Sequence, residues 1–415
     1  MTEITKKNKN ISNVPNLRFP GFEKEWETKN LGDIATFSKG KGISKIDIKE
    51  NGVIECIRYG ELYTHYGEVI DEIKSKTNVN MSALVLSDAN DVIIPASGET
   101  TIDIATASCV LKSGVALGGD LNIIKTDNNG VFLSYYLNSK KKLEIANLAQ
   151  GISVVHLYSS QLASLSLSLP KLEEQNRISA FLALLAERIQ TQNKIIEELE
   201  TLIKDFRNQI FKQKIRFKDE FGNEFPEWEI YKLKEVSERI VHKNSENNQN
   251  ILTISAQFGL ISQLDFFNKS VSSKNVSGYY LLKENDFAYN KSYSNGYPMG
   301  AIKRLKRYEK GIVSTLYICF RFKKTVSIDF IEQYFESGIQ NSEIEKIAQE
   351  GARNHGLLNV GVSDFFDIKI NLPSINEQKQ IASFLTKIDQ KIETEKQILE
   401  QLQKQKKYLL QQMFV

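Results

Sequence analysis

The sequence predicts an α+β fold: two globular domains on one α/β scaffold, joined by two long helices that pair as an antiparallel coiled coil about a pseudo-twofold axis. Three observations predict it. LPKLEEQNRISAFL, from Leu169, and LPSINEQKQIASFL, from Leu372, share a Leu-Pro pair, a Glu-Gln pair and an apolar ladder at equal intervals. RFPGFEKEWETKNLGDIA, from Arg18, and RFKDEFGNEFPEWEIYKLKEVS, from Arg216, form a second matched pair. Finally, each Leu-Pro pair is followed by apolar residues in steps of three and four over about five heptads.

A chain of 415 residues is too long for one core. The segment before Asn16, MTEITKKNKNISNVP, has no apolar centre and reads as a flexible leader over residues 1–15. The first globule is then predicted over 16–169, the first helix over 170–215, the second globule over 216–372 and the second helix over 373–415. Pro170 and Pro373 are 203 positions apart, and that interval also matches Glu174 with Glu377, Gln175 with Gln378, and Phe211 with Phe414. Aligning Trp26 with Trp228 shortens the interval to 202. In mid-globule, Asp91-Val-Ile-Ile and Asp286-Phe-Ala-Tyr fit at 195. An interval that drifts and returns is what two copies of one scaffold show when their loops differ in length.

The first helix carries Ile178, Leu182, Leu185, Ile189, Ile196, Leu199, Ile203, Phe206 and Ile210 on its seam, interrupted by Gln192. The second carries Ile381, Leu385, Ile388, Ile392, Leu399, Leu402, Leu409 and Met413, interrupted by Glu395 and Lys406. Gln192 and Glu395 are equivalent under the 203 interval, and polar seam residues fix register at a cost in stability. Ser374 with Glu377 fits a capping box, and Glu173 and Glu174 place negative charge at the positive end of the first helix. The Glu-Gln pairs therefore read as helix initiation or as a contact surface for a partner, Glu174, Gln175, Glu377 and Gln378 being the candidates.

Net charge is only +3, so a nucleic-acid role needs basic patches offset by acidic surface. Three scattered cysteines without a metal-ligand pattern point to a reducing interior, most simply a cytoplasm, and no apolar run reaches the roughly 20 residues that span a bilayer. No phosphate loop, methyltransferase Asn/Asp-Pro-Pro-aromatic tetrapeptide or close histidine pair occurs, so neither catalysis nor a metal site is indicated.

What remains is a set of Gly-punctuated loops rich in groups that grip phosphates and base edges. In the first globule they are SKGKGISK, with Lys39 and Lys41; ASGETTID, with Ser97, Thr100 and Thr101; and QGISVVHLY, with His156 and Tyr158. In the second they are YNKSYSNGYP, with Lys291, Tyr293, Asn295 and Tyr297; KRLKR, with Lys303, Arg304 and Arg307; and EGARNHG, with Arg353, Asn354 and His355. KRLKR also reads as a solvated turn, and NGY as a plain turn tip. Trp26 and Trp228 belong to the repeated scaffold and read as core.

Two divergent globules, separated and followed by near-identical helices that each open LPxxxEQxxI, resemble the specificity subunit of type I restriction–modification systems. The resemblance covers essentially the whole chain after the leader. It implies that each globule is a target recognition domain reading one half of a split site on double-stranded DNA, with the helices as spacers. It implies no catalytic activity in this chain. Two modification subunits would dock on it to methylate adenine, and motor-nuclease subunits would join to cleave. S-adenosylmethionine, ATP and Mg would belong to those partners and no cofactor to this chain. Unlike globules imply an asymmetric site. Alternatives are the target-reading subunit of a related two-subunit restriction–methylation enzyme, a coiled-coil adaptor that binds proteins, and a self-sufficient adenine methyltransferase, which the missing tetrapeptide disfavours. Steep loss of affinity with salt separates DNA binding from the adaptor.

Overall fold

The computed structural model describes residues 13–255, 258–267, 276–348 and 358–415. The chain divides into two compact units, one of Met1–Asn193 with Gln397–Val415 and one of Lys194–Lys396. Both boundaries fall inside the long helices, Leu172–Phe211 and Ile375–Gln412, of 40 and 38 residues. At 1.5 Å per residue each runs about 60 Å.

The first unit is built on a five-stranded sheet ordered Ala35–Lys39, Leu121–Thr126, Asp91–Pro95, Ser108–Val110 and Val69–Ile70. Side chains alternate faces along a strand. Val92 and Ile94 therefore join the cluster around the helix Gly130–Tyr136, while Ile93 and Ile123 join Ile57, Leu62 and Leu117 on the other face. The second unit repeats the plan with four strands, ordered Ser237–Arg239, Ile318–Phe322, Phe287–Asn290 and Ala301–Arg304. Phe287 and Tyr289 face the helix Ile328–Glu336, and Ala288 faces Leu282 and Val313.

The repeat holds at the level of single bonds. Asn90 and Asn285 both take positive φ, 82° and 72°, and their N–H groups donate to Val110 and Leu305 at 2.9 and 2.8 Å. Glu27–Asn30 pairs with Ser166–Leu169 in the first unit, and Glu229–Lys232 with Lys369–Leu372 in the second. Asn13 accepts from the Trp26 N–H at 2.9 Å, which ties the end of the leader to the first core.

Four aromatic rings close each core. In the second unit Phe211 lies 6.4, 5.6 and 5.4 Å from Trp228, Phe330 and Tyr334, centroid to centroid. In the first, Phe414 lies 6.5, 5.3 and 5.7 Å from Trp26, Phe132 and Tyr136. Both tryptophans are buried, as the sequence predicts. The first unit thus draws its fourth ring from the far end of the chain.

Within the second unit the helices run antiparallel. Arg207 pairs with Asp389 at 2.9 Å and Glu200 with Lys396 at 2.6 Å, so position falls on one helix as it rises on the other. In the first unit Ile178, Leu182 and Leu185 share a core with Leu402, Leu409 and Met413. Gln192 and Glu395 are both buried on their helices, and Glu395 is ion-paired with Lys391 one turn earlier.

Candidate nucleic-acid interface

In the first unit three of the predicted loops converge beside the sheet. The short strand Val155–His156 pairs with Ser97–Gly98, placing His156 across from Ser97. The Leu157 N–H donates to the Ala96 carbonyl at 3.0 Å, which anchors the base of the QGISVVHLY loop. The His156 and Tyr158 rings are near-parallel at 6.4 Å, and the Lys39 ammonium sits 5.9 Å from the Tyr158 centroid. Cations are drawn to the negative face of an aromatic ring. Lys39, His156 and Tyr158 are all exposed, whereas Ser97 is buried beneath them.

Lys41 follows in a bend whose path is set by its neighbours. Gly40 runs so close to Gly118 that a Cβ would lie 1.9 Å from that carbonyl oxygen. The Lys41 N–H donates to the Leu117 carbonyl at 2.9 Å, leaving its side chain in solvent. Two residues on, buried Ile43 is held at φ 55°, an uncommon conformation for a β-branched residue. Thr100 caps the turn of helix Thr101–Ile104, its hydroxyl accepting from the Asp103 N–H at 3.1 Å and donating to the Asp103 carboxylate at 2.6 Å. Thr101 is exposed on the same turn.

The second unit repeats the anchor with different residues upon it. The Leu358 N–H donates to the Lys291 carbonyl at 3.0 Å, the counterpart of the bond between Leu157 and Ala96. Arg353, Asn354 and His355 lie outside the described residues. Lys291 is half-buried, Tyr293 is exposed, and Asn295 sits at a turn tip, closed by a 2.9 Å bond from the Tyr297 N–H to Ser294, with Gly296 at φ 82°.

Three predicted contacts are committed internally. Lys303, 7% exposed, donates to Glu336 at 2.6 Å and to the Tyr297 hydroxyl at 2.8 Å, and Tyr297 in turn donates to Glu336 at 2.7 Å. Burial first, and then Glu336, pushes the Tyr297 phenol pKa up. Arg304 is shared among Asn285, Asp329 and Glu332, at 2.5, 2.5 and 3.1 Å from its nearest nitrogens. These groups brace the strand Ala301–Arg304 against the helix Ile328–Glu336 and offer no free charge to a phosphate. Of the KRLKR run, Arg307 is exposed and has no ion pair among the described residues. Sequence alone missed this because a basic run reveals nothing of the acidic helix across from it.

The Glu-Gln pairs also turn inward. Glu174 accepts from Arg18 at 2.7 and 2.8 Å, and Glu377 accepts from Arg216 at 3.2 and 3.0 Å and from the Trp228 indole at 3.2 Å. These bonds, more than the carboxylate charge alone, raise both arginine pKa values above the ordinary. Gln175 donates to the Pro170 carbonyl at 2.9 Å and Gln378 to that of Pro373 at 2.8 Å. Their amide oxygens accept from the N–H groups of Asn129 and Ser327, the caps of the Gly130–Tyr136 and Ile328–Glu336 helices. All four side chains are buried, so they fix the joint between helix and globule and do not themselves present a surface to a partner. The capping box expected at Ser374 is half made. Its hydroxyl accepts from the Glu377 N–H at 3.5 Å, but the stronger pull of Arg216 takes the carboxylate.

Among the described residues the three cysteines are free and buried, no cluster of His, Cys, Asp or Glu could hold a metal, and no helix is long and apolar enough to cross a membrane.

The sequence model of the type I restriction modification DNA specificity domain matches residues 23–201 and again 226–404. The type I restriction enzyme MjaVIII specificity subunit of Methanocaldococcus jannaschii is 27% identical over 428 aligned positions, covering 97% of this chain and 95% of that protein. The crystal structure of a type I restriction–modification S subunit from M. genitalium superposes with a TM-score of 0.59 at 16% identity, covering 97% of this chain and 99% of that one. A chain from a structural study of complex assembly and conformational transition in the type I R-M system superposes at 0.52, again with 16% identity, covering 95% and 98%. At such identity the superpositions speak for the fold.

Proposed function

Since this chain belongs to the type I restriction–modification DNA specificity family, and is a specificity subunit and not a catalytic one, we propose that each of its units reads one half of an asymmetric, two-part DNA site. Specificity subunits assemble with methyltransferase and restriction subunits and bind DNA. In the finer reading, the long helices set the unread interval, two modification subunits dock on the chain, and motor-nuclease subunits complete the assembly in the cytoplasm. S-adenosylmethionine, ATP and Mg act in those partners. Glu174, Gln175, Glu377 and Gln378 serve docking indirectly, by holding the helix starts in shape.

One observation carries this reading. The bonds from Leu157 to Ala96 and from Leu358 to Lys291 fall at equivalent places on the two scaffolds, yet the sequences that lead into them differ, QGISVVH in one and EGARNHG in the other. A common frame with unlike contact residues is what two different half-sites require. Lys39, Lys41, Thr101, His156 and Tyr158 are the contacts of the first unit, and Lys291, Tyr293, Asn295 and Arg307 those of the second.

Methylated adenines mapped in cells carrying the chain with its modification subunit should form a two-part, non-palindromic motif that vanishes on deletion of this chain. A palindromic or continuous motif would reject the reading. A second measurement bears on the spacer. Four residues inserted into one long helix add one turn, about 5.4 Å, and should widen the unread gap by about one base pair. An unchanged gap would reject the helices as its determinant.

A further inference from the structure

We propose that Ile152 reads the 5-methyl group of a thymine in the major groove of the half-site served by the first unit, an inference that rests on the DNA-recognition reading above. Ile152 is wholly exposed, the extreme among the large apolar side chains described, and Val154, two residues on, is 51% exposed. A single exposed apolar residue is ordinary. What sets this one apart is how firmly its loop is held and what surrounds it.

The loop is closed at its neck by two hydrogen bonds between Gln150 and His156, at 2.9 and 2.8 Å, and the Val155–His156 strand pairs with Ser97–Gly98 directly behind it. Gly151 makes the sharp bend at φ 138°, where a Cβ would stand 2.0 Å from the Val154 carbonyl oxygen. An unpaired terminus carries apolar side chains without consequence. A loop fixed at its neck and bent on a required glycine presents its tip in one place, at little entropic cost on binding.

The rim around the tip suits DNA. His156, Tyr158 and Lys39 follow on the same loop and its neighbour, and exposed Thr101 lies on the helix that packs beside the strand. Positive and hydrogen-bonding groups meet phosphates and base edges, while an apolar point among them needs an apolar target. The major groove offers one such feature, the thymine methyl. Taking one methyl-sized group from water is worth about fourfold in affinity.

The test uses the chain assembled with its modification subunits, on duplexes in which each thymine of the half-site is replaced singly by deoxyuridine. One replacement should weaken binding about fourfold. With Ile152→Ala, the thymine duplex should bind more weakly and that deoxyuridine replacement should cost nothing further. Ile152 buries nothing in the fold, so thermal melting should not change. No thymine whose methyl matters, or a methyl effect that persists undiminished in Ile152→Ala, would overturn the contact. Absence of any site-specific binding by the unaltered assembly would instead reject the recognition reading, and this contact with it.

Discussion

Glu377→Ala should lower the melting temperature of the full-length chain by on the order of 10 °C. The Glu377 carboxylate is fully buried and serves three donors, two on Arg216 and the Trp228 indole N–H. Removing it leaves the largely buried Arg216 guanidinium with only the Phe225 and Pro226 carbonyls and the exposed Glu227 carboxylate, and takes the acceptor from the Trp228 indole N–H. Breaking a buried pair from one side costs roughly 3–5 kcal/mol, because the stranded charge stays desolvated. In a unit of about two hundred residues each kcal/mol moves the midpoint by about 2–4 °C. Glu377→Gln keeps an acceptor oxygen and should lose less. Calorimetry on the full-length chain checks both, and a shift of Glu377→Ala under about 2 °C would show that water replaces the carboxylate at this joint. Glu174→Ala tests the same joint in the first unit. There the bonds to Arg18 are shorter, at 2.7 and 2.8 Å, but the Trp26 indole takes no part.

Phe414→Ala should destabilise the first unit by about 3–5 kcal/mol, the usual cost of emptying a buried ring site. Phe414 is buried against Trp26, Phe132 and Tyr136, so truncation opens a cavity lined by three rigid rings that cannot close over it. Phe211→Ala should act likewise on the second unit, through Trp228, Phe330 and Tyr334. Limited proteolysis followed by mass spectrometry distinguishes the two. Phe414→Ala should expose cleavage sites among residues 16–169 and Phe211→Ala among 216–372. Cleavage in the opposite globule for each variant would contradict the assignment of the rings to their units.

The candidate interface was partly legible. Loops were visible as glycine-punctuated polar runs, and Lys39, His156 and Tyr158 do meet in space. Hydrogen-bonding residue types do not single out Ile152, whose exposure depends on the bend at Gly151 and on the Gln150–His156 neck. They were equally blind to Lys303 and Arg304, which look like free cations until Glu336, Asp329 and Glu332 are brought against them.

By itself the sequence determined the doubling of the scaffold, the long helices and their seams, and the core role of Trp26 and Trp228. Periodicity and internal repetition are properties of near neighbours and of equal intervals, and both can be counted along a chain. Only the tertiary structure decided that Phe414 completes the first unit while Phe211 completes the second, and that Glu174 and Glu377 face arginines of the matched RF segments. Such contacts join residues far apart in the chain. They are selected by the burial of rings and the pairing of charge once the helices run antiparallel, and no local pattern encodes which distant copy will arrive.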